Sequence, residues 1–231
     1  MDNLITDERL ANSVIFHAMT TCKWGHMKRV ANKGEFSDKF NVPKNRLLGL
    51  NQVHGNKILT IYNERDFNKY KSKKHKADGW ILSLKNCAVT INTCDCLPLF
   101  LWDRQADTLG LAHCGWRSIA KELPLKIAKK MLKLKASKRP LYAFMAPHIK
   151  PCCFKVGKKV AEYFPKTAVK ISNNKFSVDL AKEVRYQLIS AGIASIDIKI
   201  HSECTCCNPK KYFSYRRDNR KNSMMSILWK K

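Results

Sequence analysis

No apolar run in this chain of 231 residues approaches the ~20 residues that a membrane-spanning helix needs. A helical membrane protein is therefore not expected, and no membrane partner either. The opening residues, MDNLITDERLANSVIF, carry acids early and lack the apolar core of a secretory signal. The expected location is cytoplasmic. The ten cysteines are then expected as reduced thiols rather than as a disulfide framework. Internal repeats and low-complexity segments long enough to mark a linker are also missing. One domain is expected, because a chain of this length can bury a substantial core unaided.

Acids are scarce: 18 Asp and Glu face 44 Lys and Arg, for a formal net charge of +26. Such an excess attracts polyanions and phosphate-bearing molecules. The cations are mostly Lys, however, and they are scattered. The densest run, residues 69–76 (KYKSKKHK), reads as a loop. Arginine interleaved with aromatics would signal nucleic acid better. The charge is read as a solvated lysine-rich surface, and a nucleic-acid partner is not expected.

What is present is an alternation of short apolar runs and amphipathic stretches. Residues 14–19 (VIFHAM), 57–62 (KILTIY), 77–83 (ADGWILS), 87–92 (CAVTIN), 97–102 (LPLFLW), 109–113 (LGLAH), 141–145, 196–200, 213–215 and 224–229 are expected as strands. Residues 103–107 are expected as a hairpin loop, and 20–33 and 63–76 as polar connections. Helices are expected within 37–47, broken near Pro43, and over 118–134, 156–164 and 178–191. Pro124 should kink the second of these, and Gly192 should close the last. Many strands with several helices predict an α/β (α+β) domain.

The chemistry concentrates in residues 90–117, TINTCDCLPLFLWDRQADTLGLAHCGWR. Cys94, Asp95 and Cys96 follow one apolar run, and His113 and Cys114 end another. His54, at a strand-to-turn edge, can join Cys96 and His113. Two imidazoles and a thiolate suit zinc, and three protein ligands leave a fourth position open. The close C-x-x-C…H-x-x-x-H spacing that would carry this alone is absent. Three ordinary structural side chains therefore remain an open alternative. So does a thiol enzyme, with Cys96 as nucleophile, His113 as base, and Asp95 or another group orienting it. In the tail CTCCNPKKYFSYRRD, Cys204, Cys206 and Cys207 could bind a structural metal, perhaps with Cys152 and Cys153. The spacing C-x-C-C is not a standard zinc knuckle, and such a site is not expected. Arg216 and Arg217 follow three aromatics, and Arg117 precedes a helix. All three are anion-binding candidates. His75 and His201 read as bland, and His17, His26 and His148 have no assignable partner.

At these residues the chain resembles the YfiH-like family. Those proteins were once labelled multicopper polyphenol oxidases or laccase-domain proteins, and are now described as zinc-dependent purine nucleoside phosphorylases. The matching blocks are NQVHG, ADGWI, TCDCLPLFLWD, LGLAHCGWRS, APHIKPCCFKVG and CTCCNPKKYFSYRRD, followed by MMSILW, in the family's order. The resemblance implies a layered α/β sandwich with mixed sheets. It makes 1–231 one catalytic domain with a degenerate N-terminal segment, 1–49. It implies His54, Cys96 and His113 as the metal trio, and leaves Cys94 and Cys114 as neighbours. The family's Gly-Gly-x-Ser segment is missing, and TTCKWGHMKR stands in its place. Cys94, Cys114 and Ser118 stand where the family has Ala, Ala and Gly, and Asn222-Ser223 where it has Gly-Arg.

The implied activity is phosphorolysis of adenosine, inosine, guanosine or methylthioadenosine to free base and ribose 1-phosphate, with adenosine deamination also known in the family. Purine nucleosides and phosphate are the expected partners, and Zn2+ the expected cofactor. Copper is disfavoured, because several coppers need more clustered histidines than these seven. Arg216 and Arg117 are the expected phosphate-neutralising groups and Asp95 the candidate acid. Editing of peptidoglycan precursors and a Cys96/His113 thiol hydrolase are the alternatives. A copper oxidase or nucleic-acid-binding protein ranks below them.

Overall fold

Strands in the middle of the chain are apolar at nearly every position, as strands covered on both faces must be. The computed structural model describes residues 3–10, 14–103, 107–134, 141–172, 175–219 and 222–231. In chain order these form β1 (Leu4–Ile5), β2 (Ile15–Thr20), α1 (Val30–Phe40), β3 (Leu47–Gly49), β4 (Ile58–Ile61), α2 (Glu64–Lys71), β5 (Gly79–Leu82) and β6 (Cys87–Thr93). Next come β7 (Leu97–Asp103), β8 (Leu109–Cys114), α3 (Trp116–Ala120), α4 (Leu123–Leu134), β9 (Leu141–Met145), β10 (Lys155–Val156) and α5 (Lys158–Ala161). The last are β11 (Val169–Ser172), β12 (Lys175–Val178), α6 (Leu180–Ser190), β13 (Ile198–Ile200), α7 (Tyr215–Asp218) and β14 (Met224–Lys230).

Two mixed sheets stack face to face. One has the order β1-β2-β14-β6-β3, with only β3–β6 parallel. The other has the order β13-β9-β7-β8-β5-β4, parallel at both edges. A small antiparallel sheet, β10-β12-β11, lies apart in the pairing. The period of two sorts the side chains into layers. On β7, Phe100 and Trp102 face the other sheet, together with Trp80, Leu82, Leu109 and Leu111. Leu97, Leu99 and Leu101 face the helices instead, against Ile127 and Met131 of α4 and Val184 and Leu188 of α6. The outer face of the five-stranded sheet is covered by Phe36 and Phe40 of α1. The result is an α/β sandwich of four layers, as the fold reading expects. Each large side chain fully buried between layers contributes about 1.5–3 kcal/mol before entropy is counted.

Several local expectations change. The helix over 118–134 is two helices, α3 and α4, broken at Glu122 with φ +60°. Pro124 is the second residue of α4, where its missing N–H costs nothing. Residues 63–76 are not all loop. Asn63 caps α2 by accepting from the Asp66 amide at 3.0 Å, Phe67 is buried, and Tyr70 packs partly buried beside it. α1 begins at Val30, inside a stretch read as polar connection, and ends before Pro43. The expected helix over 156–164 shrinks to α5, and 213–215 is no strand but leads into α7. Gly192 closes α6 at φ +103°, a conformation that favours glycine. The proposed loop at 103–107 includes 104–106, which lie outside the described residues, although β7 and β8 do pair antiparallel. No described helix is long and apolar enough to cross a membrane.

Candidate metal centre

Three segments converge where both large sheets end. The loop after β3 carries His54, the link from β6 to β7 carries Asp95 and Cys96, and the last turn of β8 carries His113. His54 and Asp95 both adopt left-handed backbone, at φ 55° and 75°, which non-glycine residues tolerate only when surroundings hold them. One ligand atom from each of His54, Cys96 and His113 lies within 4.8 Å of the others. Cys96 Sγ is 3.9 Å from His54 Nε2, and the two imidazole rings meet edge-on with centroids 4.7 Å apart.

Asp78 organises this set. Its fully buried carboxylate accepts from the amides of Val53, His54 and Gly55 at 3.2, 3.0 and 2.7 Å. It also meets His113 Nδ1 at 2.9 Å. One carboxylate thus fixes the loop bearing one imidazole and the ring of the other. Burial pushes Asp78 up, but these hydrogen bonds and the His113 charge outweigh it and hold the carboxyl below its ordinary range. Burial would likewise raise the Cys96 thiol. The His113 charge beside it, with hydrogen bonds from both imidazoles, instead brings it down to about 6. His113 is pulled down by burial and raised further by Cys96 and Asp78, to about 9. Both shifts run toward the charged forms, because each group favours the charge of the other. The sequence reading quoted ADGWI without giving Asp78 a role. A lone acid before a buried strand was the available signal.

The chain passes the site with no room to spare. A Cβ added to Gly115 would fall 2.7 Å from His54 Cδ2 and 3.1 Å from Cys96 Sγ. The trio lines a cleft of about 780 Å³, within the range of small-molecule sites. Arg117 and Arg216 stand on its walls, with Lys28, Lys33 and Lys74, which sequence reasoning left unassigned. Burial first, and then repulsion from Lys74 and Lys28, depress Lys33. Trp116, Phe154 and Tyr215 add aromatic faces.

The other predicted residues separate in role. Arg216 Nη1 donates to the carbonyls of Cys153 and Lys155 at 3.1 and 2.6 Å, and its guanidinium sits 5.4 Å from the Phe154 ring. Arg117 stacks on Trp116 at 4.3 Å. Arg217 is instead spent on structure, donating to the carbonyls of Thr205, Cys206 and Tyr212 and pairing with Asp218. The Asp95 carboxylate accepts from Thr205 Oγ1, Ser214 Oγ and the Arg216 amide at 2.6, 3.0 and 2.8 Å. It anchors the tail beneath the cleft. Cys94 and Cys114 lie outside the trio, and burial pushes the Cys94 thiol up to about 12. His17 and His26, unassigned in sequence, accept the amides of Asp7 and Ser223 at 2.7 and 3.0 Å.

The chain is 28% identical over 212 residues to the purine nucleoside phosphorylase YlmD of Bacillus subtilis, covering 86% of this chain and 76% of that one. It is 27% identical over 177 residues to the adenosine deaminase RL5 of an unknown prokaryotic organism, covering 72% and 68%. The crystal structure of the Bacillus licheniformis hypothetical protein YfiH superposes with a TM-score of 0.83 at 22% identity, covering 94% and 93%, which places the fold. The profile of the family described as multi-copper polyphenol oxidoreductase laccase matches residues 26–231, so the chain belongs to this YfiH-like family.

Proposed function

We propose that residues 1–231 act as one catalytic domain, a cytoplasmic zinc-dependent purine nucleoside phosphorylase. The observation that carries this reading is the His54, Cys96 and His113 set at the floor of a cleft walled by cations and aromatics. The donor set fits zinc. Two imidazoles and a low-lying thiolate are its preferred ligands, and Asp78 occupies His113 Nδ1, leaving Nε2 for the metal. Copper would find the same three donors, but among the described residues no second cluster contains a histidine, as the several sites of a multicopper enzyme would require. Zinc held there would supply a Lewis acid for an anionic oxygen or an activated water.

The chain's own groups do the rest. Arg216, fixed by two backbone carbonyls, and Arg117, stacked on Trp116, neutralise the incoming phosphate. The purine stacks on the aromatic wall. A phosphate oxygen bonds to the sugar C1′ as the bond from C1′ to the base breaks, and the proton that phosphate brings leaves on the base. Asp95 positions Arg216 through the Arg216 amide. With three donors on its carboxylate, it is set up for that role rather than for proton transfer. Water in place of phosphate, bonding to the adenine carbon that bears the amino group while that group leaves as ammonia, would give the deamination named for one relative.

A second reading has its own observation. Cys96, His113 and Asp78 lie in the order nucleophile, base, orienter, with Asp78 rather than Asp95 in the third role. One experiment separates the two. The purified protein is assayed for zinc and incubated with inosine with and without phosphate. Phosphate-dependent hypoxanthine that disappears on chelation supports the phosphorylase. Turnover that survives chelation and dies on Cys96 alkylation transfers the site to the thiol enzyme.

A further inference from the structure

Away from the cleft floor, Cys152, Cys153, Cys204 and Cys207 each offer a sulfur within 4.8 Å of the other three. We propose that these four thiols form a second, closed metal site that takes one zinc ion and staples the loop around Cys153 to the tail. The spacing of Cys204, Cys206 and Cys207 looks unpromising as C-x-C-C. The structure resolves it differently: Cys206 reaches Cys153 but falls outside the mutually close set, and Cys204-Thr205-Cys206-Cys207 is a C-x-x-C pair. That spacing is common in structural zinc sites, and the vicinal Cys152-Cys153 supplies the other half.

The distances suit this ion. Zinc–sulfur bonds of ~2.3 Å in a tetrahedron set sulfurs ~3.8 Å apart. Cys152 and Cys153 lie 3.7 and 3.3 Å from Cys207 Sγ. The backbone supports the ligands without metal. The Lys150 amide donates to Cys204 Sγ at 3.4 Å, and the amides of Cys206 and Cys207 point to the same sulfur. The Thr205 amide donates to the His148 carbonyl at 3.2 Å, and the Asn208 side chain to the Cys204 carbonyl at 2.9 Å. Such amide–sulfur bonds favour the thiolate a metal needs. Cys152 and Cys207 are exposed, so the ion can enter from solvent. Four thiolates and one Zn2+ leave two negative charges, and the Lys150 ammonium interacts with Cys204 and Cys152. The site matters to the cleft because Arg216 is held by the carbonyls of Cys153 and Lys155, in the loop that the metal would pin.

The test is metal content of the full-length protein purified under reductant. Two zinc ions per chain are expected in the native protein. One is expected in the Cys204→Ser/Cys207→Ser variant, one in His113→Ala, and none when the changes are combined. A single zinc lost only with His113→Ala would overturn this proposal while leaving the phosphorylase reading intact. The reverse pattern would do the opposite. Because a variant can fail to fold, the native protein is also alkylated with iodoacetamide, and the modified cysteines are mapped by mass spectrometry. Protection of Cys152 and Cys207 that chelator removes supports the site. Alkylation at the rate of free thiols with zinc present, a Cys153–Cys207 disulfide under reductant, or iron in place of zinc overturns it.

Discussion

The two sulfur-bearing clusters are built on different plans. His54, Cys96 and His113 come from three separate segments, and one buried carboxylate, Asp78, holds two of those segments in register through four contacts. The four cysteines come from two loops, and short sequence spacing and backbone amides do the positioning. Three donors in a cleft leave a position free for chemistry, whereas four donors in a loop close the shell. The lesson is that the trio is positioned by the fold, and the four cysteines by the chain. The first should fail by losing its organiser, the second only by losing a ligand.

The strongest way to break this comparison is Asp78→Ala. Removing one partner of a buried charged network should cost about 3–5 kcal/mol in urea unfolding. Loss of a carboxylate behind a ligating imidazole should weaken metal binding about 10–100-fold in a competition titration. Native affinity in a folded variant would show that the fold does not organise the site.

Acid comes next. Burial first of all depresses His17 to about 4 and His148 to about 3, below the ordinary 6.5. As pH falls, the unfolded chain takes up these protons first, so stability is full above about 6.5 and lost as pH drops toward 4 and 3. For His17 the loss is on the order of 3 kcal/mol. His148 borders the four-cysteine loops through its carbonyl, so the acid limb should shrink in zinc-loaded protein if metal braces that region. Denaturant midpoints at pH 7 and 4, with and without zinc, measure it. A flat profile would count against both imidazoles being buried neutral.

Gly115→Ala should cost about 1–3 kcal/mol, because the new methyl meets His54 and Cys96. Its effect on metal stoichiometry should fall on the trio and leave the cysteine site loaded. Arg216→Lys should raise the KM for phosphate about tenfold, or ~1.4 kcal/mol, since Nη1 serves both carbonyls and an ammonium has no second planar nitrogen to offer the anion. Cys206→Ser should change stability by less than ~0.5 kcal/mol and leave zinc content unchanged. A lost ion there would move the second site's ligand set by one residue.

The apolar strands were legible because burial on both faces leaves an unbroken signature. Runs such as CAVTIN and LPLFLW became β6 and β7 with little shift. The helix α2 was hidden by its composition, since one buried Phe67 and one Asn63 cap suffice to place it. The segment 213–215 misled because its aromatics pack in a turn rather than a sheet. At the site, His54, Cys96 and His113 were visible as residue types, but their convergence depends on three chain crossings that no local pattern carries. Asp78 showed only as a lone acid before a buried strand, and its role was hidden for the same reason: its partners lie 23 to 35 positions away. The C-x-x-C pair was masked by an extra cysteine between its members.

One feature of the fold bears on how the protein is made. β14, the last strand in chain order, lies in the middle of its sheet, between β2 and β6. During synthesis, β2 and β6 emerge with an open gap between them, and their facing edges stay unpaired until β14 leaves the ribosome. The sheet beneath the cleft therefore closes late, through contacts distant in sequence, which slows folding and exposes strand edges meanwhile. A chain cut before residue 224 would lack the strand that joins β2 to β6, and its two open edges would be expected to pair with other chains.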